Sequence, residues 1–196
     1  MDKNKVLAHE ALEMLKLGNQ RFVTNTLDHP NLDDARRRML ATGQAPHTVV
    51  LTCSDSRILP DLIFDQGLGD LFVIRVAGNV AKDKVLGSIE YAVANLGSKL
   101  VVILGHESCG AVTAALEPME QIGHIGAILE ELKPAVYMAR NQPGDLLENA
   151  IKNNAIITRE RVRDSLPILN KAIKEDGLVV VSAYYSLQTG EVHWLD

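Results

Sequence analysis

The sequence predicts an α/β fold in which helices flank a central, mostly parallel β-sheet with an antiparallel edge strand at the C-terminus. Two apolar, β-branched runs, residues 48–51 and 100–104, have the continuous hydrophobicity of strands that are buried on both faces of a parallel sheet. A turn and then a segment with helical character follow each run. A turn sequence at residues 188–190 joins two further strand-like runs and predicts a final hairpin.

The first 44 residues or so predict a helical arm ahead of the sheet. Apolar residues recur at helical spacing over residues 6–24, although Gly18 and Asn19 weaken the middle of this helix. A second helix is expected over residues 33–42, with Gly43 at its end. We expect the arm to belong to a single domain over residues 1–196, because we find no repeat, low-complexity tract or internal linker.

The central part of the chain alternates strands with helices. Pro60 can start a short helical turn that ends at residue 64. An apolar stripe predicts a helix over residues 83–96, which Gly97 ends. The strands of this part are predicted over residues 47–53, 71–76 and 100–104.

The C-terminal half begins with a helix that starts near Cys109 and ends before Pro118. Residues 119–146 are predicted to be helical but irregular, because Pro134 and Pro143-Gly144 interrupt the pattern. The remaining elements are helices over residues 151–166 and 168–175 and strands over residues 178–186 and 191–195.

Charge and hydropathy exclude several functional classes. With 20 basic and 25 acidic side chains, the net charge of −5 argues against a nucleic-acid-binding surface. No apolar run is long enough to span a bilayer, and the N-terminus lacks the apolar core of a secretory signal. We therefore expect a cytoplasmic protein that keeps its thiols reduced and binds neither nucleic acid nor membrane.

The cysteines point to a metal site. The chain has two, Cys53 and Cys109, and each follows one of the two predicted central strands. They could form a disulfide or be small buried hydrophobic residues. However, Cys109 stands three residues after His106, a spacing that lets both side chains reach one metal ion. The carboxyl ends of neighbouring parallel strands also meet at one edge of a sheet, where α/β proteins build ligand sites.

These three residues would hold zinc and leave a fourth position for water, which is the pattern of a catalytic site. Asp55 has two roles open to it. It could complete the zinc ligands and close the site, or it could pair with Arg57, two residues on, and accept a hydrogen bond from zinc-bound water. In the open case, the chemistry is attack by zinc hydroxide on a small electrophilic carbon.

Four ordered motifs closely resemble those of the β-class carbonic anhydrases: Cys53-Ser-Asp55-Ser-Arg57, Gly78-Asn79, Ser88-Ile89-Glu90-Tyr91-Ala92 and Gly105-His106-x-x-Cys109-Gly110. The resemblance implies reversible hydration of carbon dioxide to bicarbonate and a proton. It implies one Zn²⁺ per chain, held by Cys53, His106 and Cys109, with an Asp55–Arg57 dyad beside it. It also implies a homo-oligomer that is a dimer or a multiple of dimers.

The resemblance extends to the substrate pocket. It implies that Gln44 reaches across a dimer interface to the zinc-bound ligand. Phe72 and Tyr91 match apolar and aromatic pocket positions, and the backbone N–H of Gly110 would suit a bicarbonate oxygen. Without the resemblance, we would interpret Gln44 as a polar loop residue and Phe72 and Tyr91 as ordinary core residues.

Three alternative functions stay open. Relatives that hydrolyse carbonyl sulfide or carbon disulfide use the same ligands. A non-catalytic, zinc-stabilised assembly module would use Asp55 as the fourth ligand, and Arg57 argues against it because it offers Asp55 another partner. A nucleotide-binding protein is the weakest alternative, because no complete glycine-rich phosphate loop follows a strand.

Overall fold

The computed structural model describes residues 6–117 and 123–195. Its strands are β1 (Thr48–Thr52), β2 (Leu71–Arg75), β3 (Leu100–His106), β4 (Val179–Tyr185) and β5 (Val192–Leu195). Its α-helices are α1 (Ala8–Val23), α2 (Asp34–Leu40), α3 (Pro60–Ile63), α4 (Asp83–Tyr91), α5 (Gly110–Leu116), α6 (Ile125–Ala139), α7 (Leu146–Arg163) and α8 (Ile168–Glu175). A 3₁₀ turn (Ala77–Asn79) follows β2, and a π-helical segment (Ala92–Leu96) follows α4.

The strands form one sheet in the order β2-β1-β3-β4-β5. The first four are parallel, and β5 pairs antiparallel with β4. The predicted mostly parallel sheet with an antiparallel C-terminal edge strand is therefore confirmed. The chain passes from β1 to β2 on one side of β1, and it then crosses over to β3 on the other side of β1. The strand order therefore reverses between β1 and β3. In open α/β sheets, this point at the carboxyl ends of the strands is where ligands bind.

Helices cover both faces of the sheet, which explains why its central strands are apolar throughout. Val49 and Leu51 of β1 pack in one cluster with residues of α4, α7 and α8. Val50, which points to the opposite face, packs with residues of α1 and α3. The alternation along β1 therefore divides the core into two layers, and the sheet lies between them.

The N-terminal helix is held against the core at Gly18 and Asn19, where its predicted helix propensity is lowest. A side chain at Gly18 would place its Cβ 1.8 Å from the backbone oxygen of Phe64, so only glycine lets α1 approach this closely. The neighbouring Asn19 donates to the backbone oxygens of Ile63 and Gly190, at 3.2 and 2.9 Å. Residues that lower the helix propensity of α1 thus provide its tertiary contacts.

Several predicted boundaries are wrong, and two differences have clear physical causes. The helix α6 continues through Pro134, where we expected a break, because Pro134 and Glu130 are both exposed and the carbonyl that proline leaves unbonded can face water. The helix α7 begins at Leu146 rather than at residue 151, since Asp145 caps it by accepting a 2.7 Å hydrogen bond from the Glu148 N–H.

Two further corrections concern the sheet and its flanks. The predicted helix over residues 83–96 is α-helical only as far as Tyr91 and then widens to a π-helix. The strand β3 continues two residues beyond the predicted end, which makes His106 its last residue.

The irregular segment predicted from residue 119 falls partly on residues 118–122, which lie outside the described residues. Among the described helices, none has both the length and the apolarity that crossing a membrane requires.

Candidate metal centre

Three metal-ligating side chains meet where the strand order reverses. Cys53 directly follows β1, His106 ends β3, and Cys109 is the residue before α5. All three are buried, and their ligand atoms lie within 4.8 Å of one another. The two sulfur atoms are 4.0 Å apart, about twice the length of a disulfide bond, so both cysteines are free thiols.

The hydrogen bonding of His106 leaves one ring nitrogen free for a ligand. Its Nδ1 lies 2.8 Å from the backbone oxygen of Glu107, which can only accept, so Nδ1 carries the proton. Its Nε2 therefore presents a lone pair. Although His106 is completely buried, Nε2 has no hydrogen-bond partner among residues 6–117 and 123–195. A backbone carbonyl that fixes the ring in this way is the usual outer contact of a metal-bound histidine.

Two hydrogen-bond donors reach the sulfur of Cys53. The Gly78 N–H donates to Cys53 Sγ at 3.4 Å, and the Cys109 thiol donates to the same sulfur. The hydrogen bond from Cys109 is the main cause that lowers the pKa of Cys53 below its ordinary value, and the same bond raises the pKa of Cys109. This hydrogen bond favours the thiolate form of Cys53, and a cation at this position would be attracted to the thiolate.

Asp55 is held by Arg57 beside the cluster. The Arg57 guanidinium donates from Nε to Oδ1 at 2.9 Å and from Nη2 to Oδ2 at 2.7 Å, and the Arg57 backbone N–H donates to Oδ1 at 3.0 Å. These bonds to Arg57 hold the pKa of Asp55 well below its usual range, so the carboxylate stays ionised. Asp55 Oδ2 lies 4.0 Å from His106 Nε2, next to the cluster.

Arg75, which the sequence reasoning did not identify, fixes the loop after β1. It donates from Nη2 to the Asp55 backbone oxygen at 2.6 Å and from Nε to the Cys53 backbone oxygen at 3.3 Å. Arg57 also reaches the other loop, since its Nη2 donates to the Ser108 backbone oxygen at 3.2 Å. Its position at the end of β2, beside the end of β1, is the feature from which a role near Cys53 could have been predicted.

The other predicted pocket residues are divided between the two ends of the sheet. Gly110 is the first residue of α5 and directly follows Cys109 of the cluster. Gln44 is exposed and precedes the amino end of β1, whereas Cys53 follows its carboxyl end. Phe72 pairs with Val49, about 13 Å along the strand from Cys53. Tyr91 contacts Phe72, with ring centroids 6.3 Å apart. Within one chain, the structure does not bring these three residues to the cluster.

The donor set fits zinc. Thiolate and imidazole are the ligands that zinc prefers in proteins, and three of them leave one coordination position open. The unsatisfied Nε2 of His106 faces the two sulfurs, and apolar side chains wall the cluster on the side of α5 and α6. Within the described residues, no other group of three histidine, cysteine or acidic side chains has comparable metal-binding geometry.

Comparison with known proteins identifies the family. A carbonic anhydrase family model matches residues 48–192. The chain is 38% identical over 184 residues to carbonic anhydrase 2 of Mycobacterium tuberculosis, covering 92% of this chain and 89% of the relative. It is 45% identical over 143 residues to a carbonic anhydrase of Mycolicibacterium smegmatis, covering 71% and 68% of the two chains.

Solved structures point to the same family. A tetrameric β-carbonic anhydrase of Sordaria macrospora superposes with a TM-score of 0.76 at 29% identity, covering 81% of this chain and 85% of the other. A β-carbonic anhydrase of Aspergillus fumigatus superposes with a TM-score of 0.73 at 30% identity, covering 96% and 90%. The resemblance inferred from the sequence motifs is thereby confirmed, and the chain belongs to the β-class carbonic anhydrases.

Proposed function

We propose that this protein is a zinc enzyme that catalyses the reversible hydration of carbon dioxide to bicarbonate and a proton. The observation that carries the proposal is the open Nε2 of His106, which faces two thiols next to a carboxylate fixed by Arg57. A buried histidine nitrogen without a partner is costly in a folded protein, and a bound metal ion removes that cost.

Cys53, His106 and Cys109 would hold the ion. When bound, Zn²⁺ would supply Lewis acidity that makes a water molecule nucleophilic in the neutral to alkaline range. Asp55 Oδ2 would accept a hydrogen bond from the attacking water and orient it towards the substrate carbon. Arg57 keeps Asp55 ionised and would keep it from becoming a metal ligand, because both carboxylate oxygens are already bonded to the guanidinium.

A second copy of the chain would complete the substrate pocket. Gln44, Phe72 and Tyr91 lie away from the cluster of their own chain, and Tyr91 is 48% exposed although it is a large aromatic residue. We propose that they serve the site of a partner subunit in a homodimer, or in a multiple of dimers. Gly110 would act within its own chain, where its backbone N–H at the start of α5 would bind a bicarbonate oxygen.

The activity should rise from neutral to alkaline pH. Two thiolates neutralise the charge of Zn²⁺, so a bound water ionises at higher pH than the value of about 7 found with three histidines. Asp55 does not produce this rise. Its pKa is lowered in the folded protein, so its carboxylate is already ionised throughout the neutral and alkaline range.

The test is stopped-flow carbon dioxide hydration from pH 6 to 9 on protein with quantified metal, beside a Cys109→Ser variant. We expect about one zinc per wild-type chain, a rate that rises with pH, and loss of both zinc and activity in the variant. Stoichiometric zinc without hydration at any pH would contradict the proposal. Hydrolysis of carbonyl sulfide by that same protein would then identify a sulfur-substrate enzyme.

A further inference from the structure

A buried asparagine on α7 connects to the candidate metal centre through one glycine. Asn154 is 2% exposed, and its Nδ2 donates to the backbone oxygen of Gly78 at 2.8 Å. The N–H of the same glycine donates to Cys53 Sγ at 3.4 Å. Asn154 is therefore two hydrogen bonds away from a metal-ligating sulfur, although it is 101 residues from Cys53 in the sequence.

Gly78 needs an external anchor to hold this geometry. Its φ of +69° lies in the left-handed region, and a Cβ there would come within 3.1 Å of Leu132 and 3.3 Å of Ala111. Glycine is therefore required, but glycine is also the residue with the least intrinsic preference for one backbone conformation. The bond from Asn79 N–H to Val76 oxygen closes the turn, and the bond from Asn154 ties the carbonyl of Gly78 to α7.

We propose that Asn154 is a positioning residue for the metal centre. By fixing the carbonyl of Gly78, it keeps the glycine N–H directed at Cys53 Sγ, and this N–H stabilises the negative charge of the sulfur in the geometry that binds the ion. The inference rests on the proposed zinc site. Outer-shell partners of this kind contribute about 10- to 100-fold to metal affinity.

The neighbouring residue provides a matched control. Asn153 is also buried on α7, at 6% exposure, and its Nδ2 donates to Gln142 Oε1 at 3.0 Å and to the Ala135 backbone oxygen at 3.4 Å. These partners belong to α6 and to the loop after it, so Asn153 does not contact Gly78 or the ligands. Substitution at either position removes buried hydrogen bonds, but only position 154 acts on the metal centre.

The experiment compares wild type, Asn154→Leu and Asn153→Leu as full-length, zinc-loaded proteins. Zinc affinity is measured by competition with a chelator, and cobalt(II) replaces zinc for absorption spectra of the thiolate-to-cobalt charge-transfer bands. We expect zinc affinity to fall at least 10-fold in Asn154→Leu and less than 3-fold in Asn153→Leu. The charge-transfer bands should move to longer wavelength in Asn154→Leu alone, because a sulfur that loses its N–H donor releases electrons more easily.

Unchanged zinc affinity and cobalt spectra in Asn154→Leu, with only a lower melting temperature, would overturn the inference and assign Asn154 a structural role. If Asn154→Leu does not fold, Asn154→Ser repeats the test, because its shorter side chain cannot reach the Gly78 oxygen. A wild-type protein that binds no zinc would overturn both the proposed function and this inference. Tight zinc binding by wild type and by the folded variant would overturn the inference alone.

Discussion

Two buried histidines, at opposite ends of the sheet, differ in what their ring nitrogens contact. His47 precedes β1 at the amino end and is 5% exposed. Its Nδ1 lies 2.8 Å from Thr48 Oγ1, and its Nε2 lies 3.1 Å from Gln66 Oε1. His106 ends β3 at the carboxyl end, is completely buried, and has an open Nε2. One histidine is satisfied by the protein, and the other is left available for a ligand.

The same contrast extends to the surroundings of each histidine. Near His47, the Asp70 carboxylate accepts from the Gly67 N–H, from Asn31 and from Arg36. In the 3₁₀ turn that contacts Cys53, a second buried nitrogen, Asn79 Nδ2, also lacks a partner within the part of the chain that the structure describes. Because native proteins rarely leave buried polar atoms unpaired, satisfied clusters indicate a structural role and unsatisfied ones indicate a binding site.

The largest expected difference is between the two histidines themselves. His106→Ala should lose zinc and reduce carbon dioxide hydration by at least roughly 1000-fold, since the metal-activated nucleophile is lost. His47→Ala should keep zinc and activity but lose about 1–3 kcal/mol of stability, because Thr48 and Gln66 lose their partner. Metal analysis, stopped-flow hydration and urea unfolding check both variants. Loss of zinc from His47→Ala would contradict the contrast.

Next in size is the effect of the carboxylate beside the cluster. Asp55→Asn should lower kcat/KM roughly 100-fold while zinc stays bound, because an amide cannot form the two-pronged ion pair with Arg57 or accept as strongly from the nucleophile. Hydration kinetics and zinc content measure the two effects separately. Zinc loss comparable to that of His106→Ala would instead assign Asp55 to the ligand set.

A smaller effect, on stability alone, is expected for the carboxylate at the amino end. Asp70→Asn replaces an acceptor oxygen by a donor group, so one of the donors from Gly67, Asn31 or Arg36 loses its partner. We expect a loss of about 1–3 kcal/mol in urea unfolding and hydration kinetics within 2-fold of wild type. A large fall in kcat/KM at unchanged zinc content would show that the amino end serves a site as well.

The smallest effect concerns the pH dependence of stability. Burial lowers the pKa of His47, so on acidification the unfolded chain binds a proton at this residue before the folded chain does. Stability conferred by neutral His47 is therefore present above the ordinary histidine pKa and is lost as pH falls from about 7. Between pH 7.5 and 5, the free energy of unfolding should fall less for His47→Gln than for wild type. The two pH slopes should differ by at most about 1.4 kcal/mol per pH unit. Parallel slopes in urea unfolding would contradict this.

Much of the fold followed from local sequence patterns. The continuous apolar runs of β1 and β3 predicted strands buried on both faces, and the order β2-β1-β3-β4-β5 places both at the centre of the sheet. Boundaries were less predictable. Pro134 does not end α6, because its exposed position lets water satisfy the carbonyl it leaves unbonded, and exposure is not visible in the local sequence.

The sequence by itself indicated the family, through motifs that resemble those of the β-class carbonic anhydrases. It also determined the chemistry of the donor atoms, because the spacing of Cys53, His106 and Cys109 relative to the strands limits where these side chains can meet. Only the tertiary structure decided which ring nitrogen of His106 is open and that Asn154 reaches Gly78, and it selected the Arg57 pairing from the two roles that the sequence left open to Asp55. These choices depend on hydrogen bonds between residues far apart in the chain or on the direction of single N–H and C=O groups. Neither is encoded in residue spacing, since both arise when packed helices and strands place those groups within bonding distance.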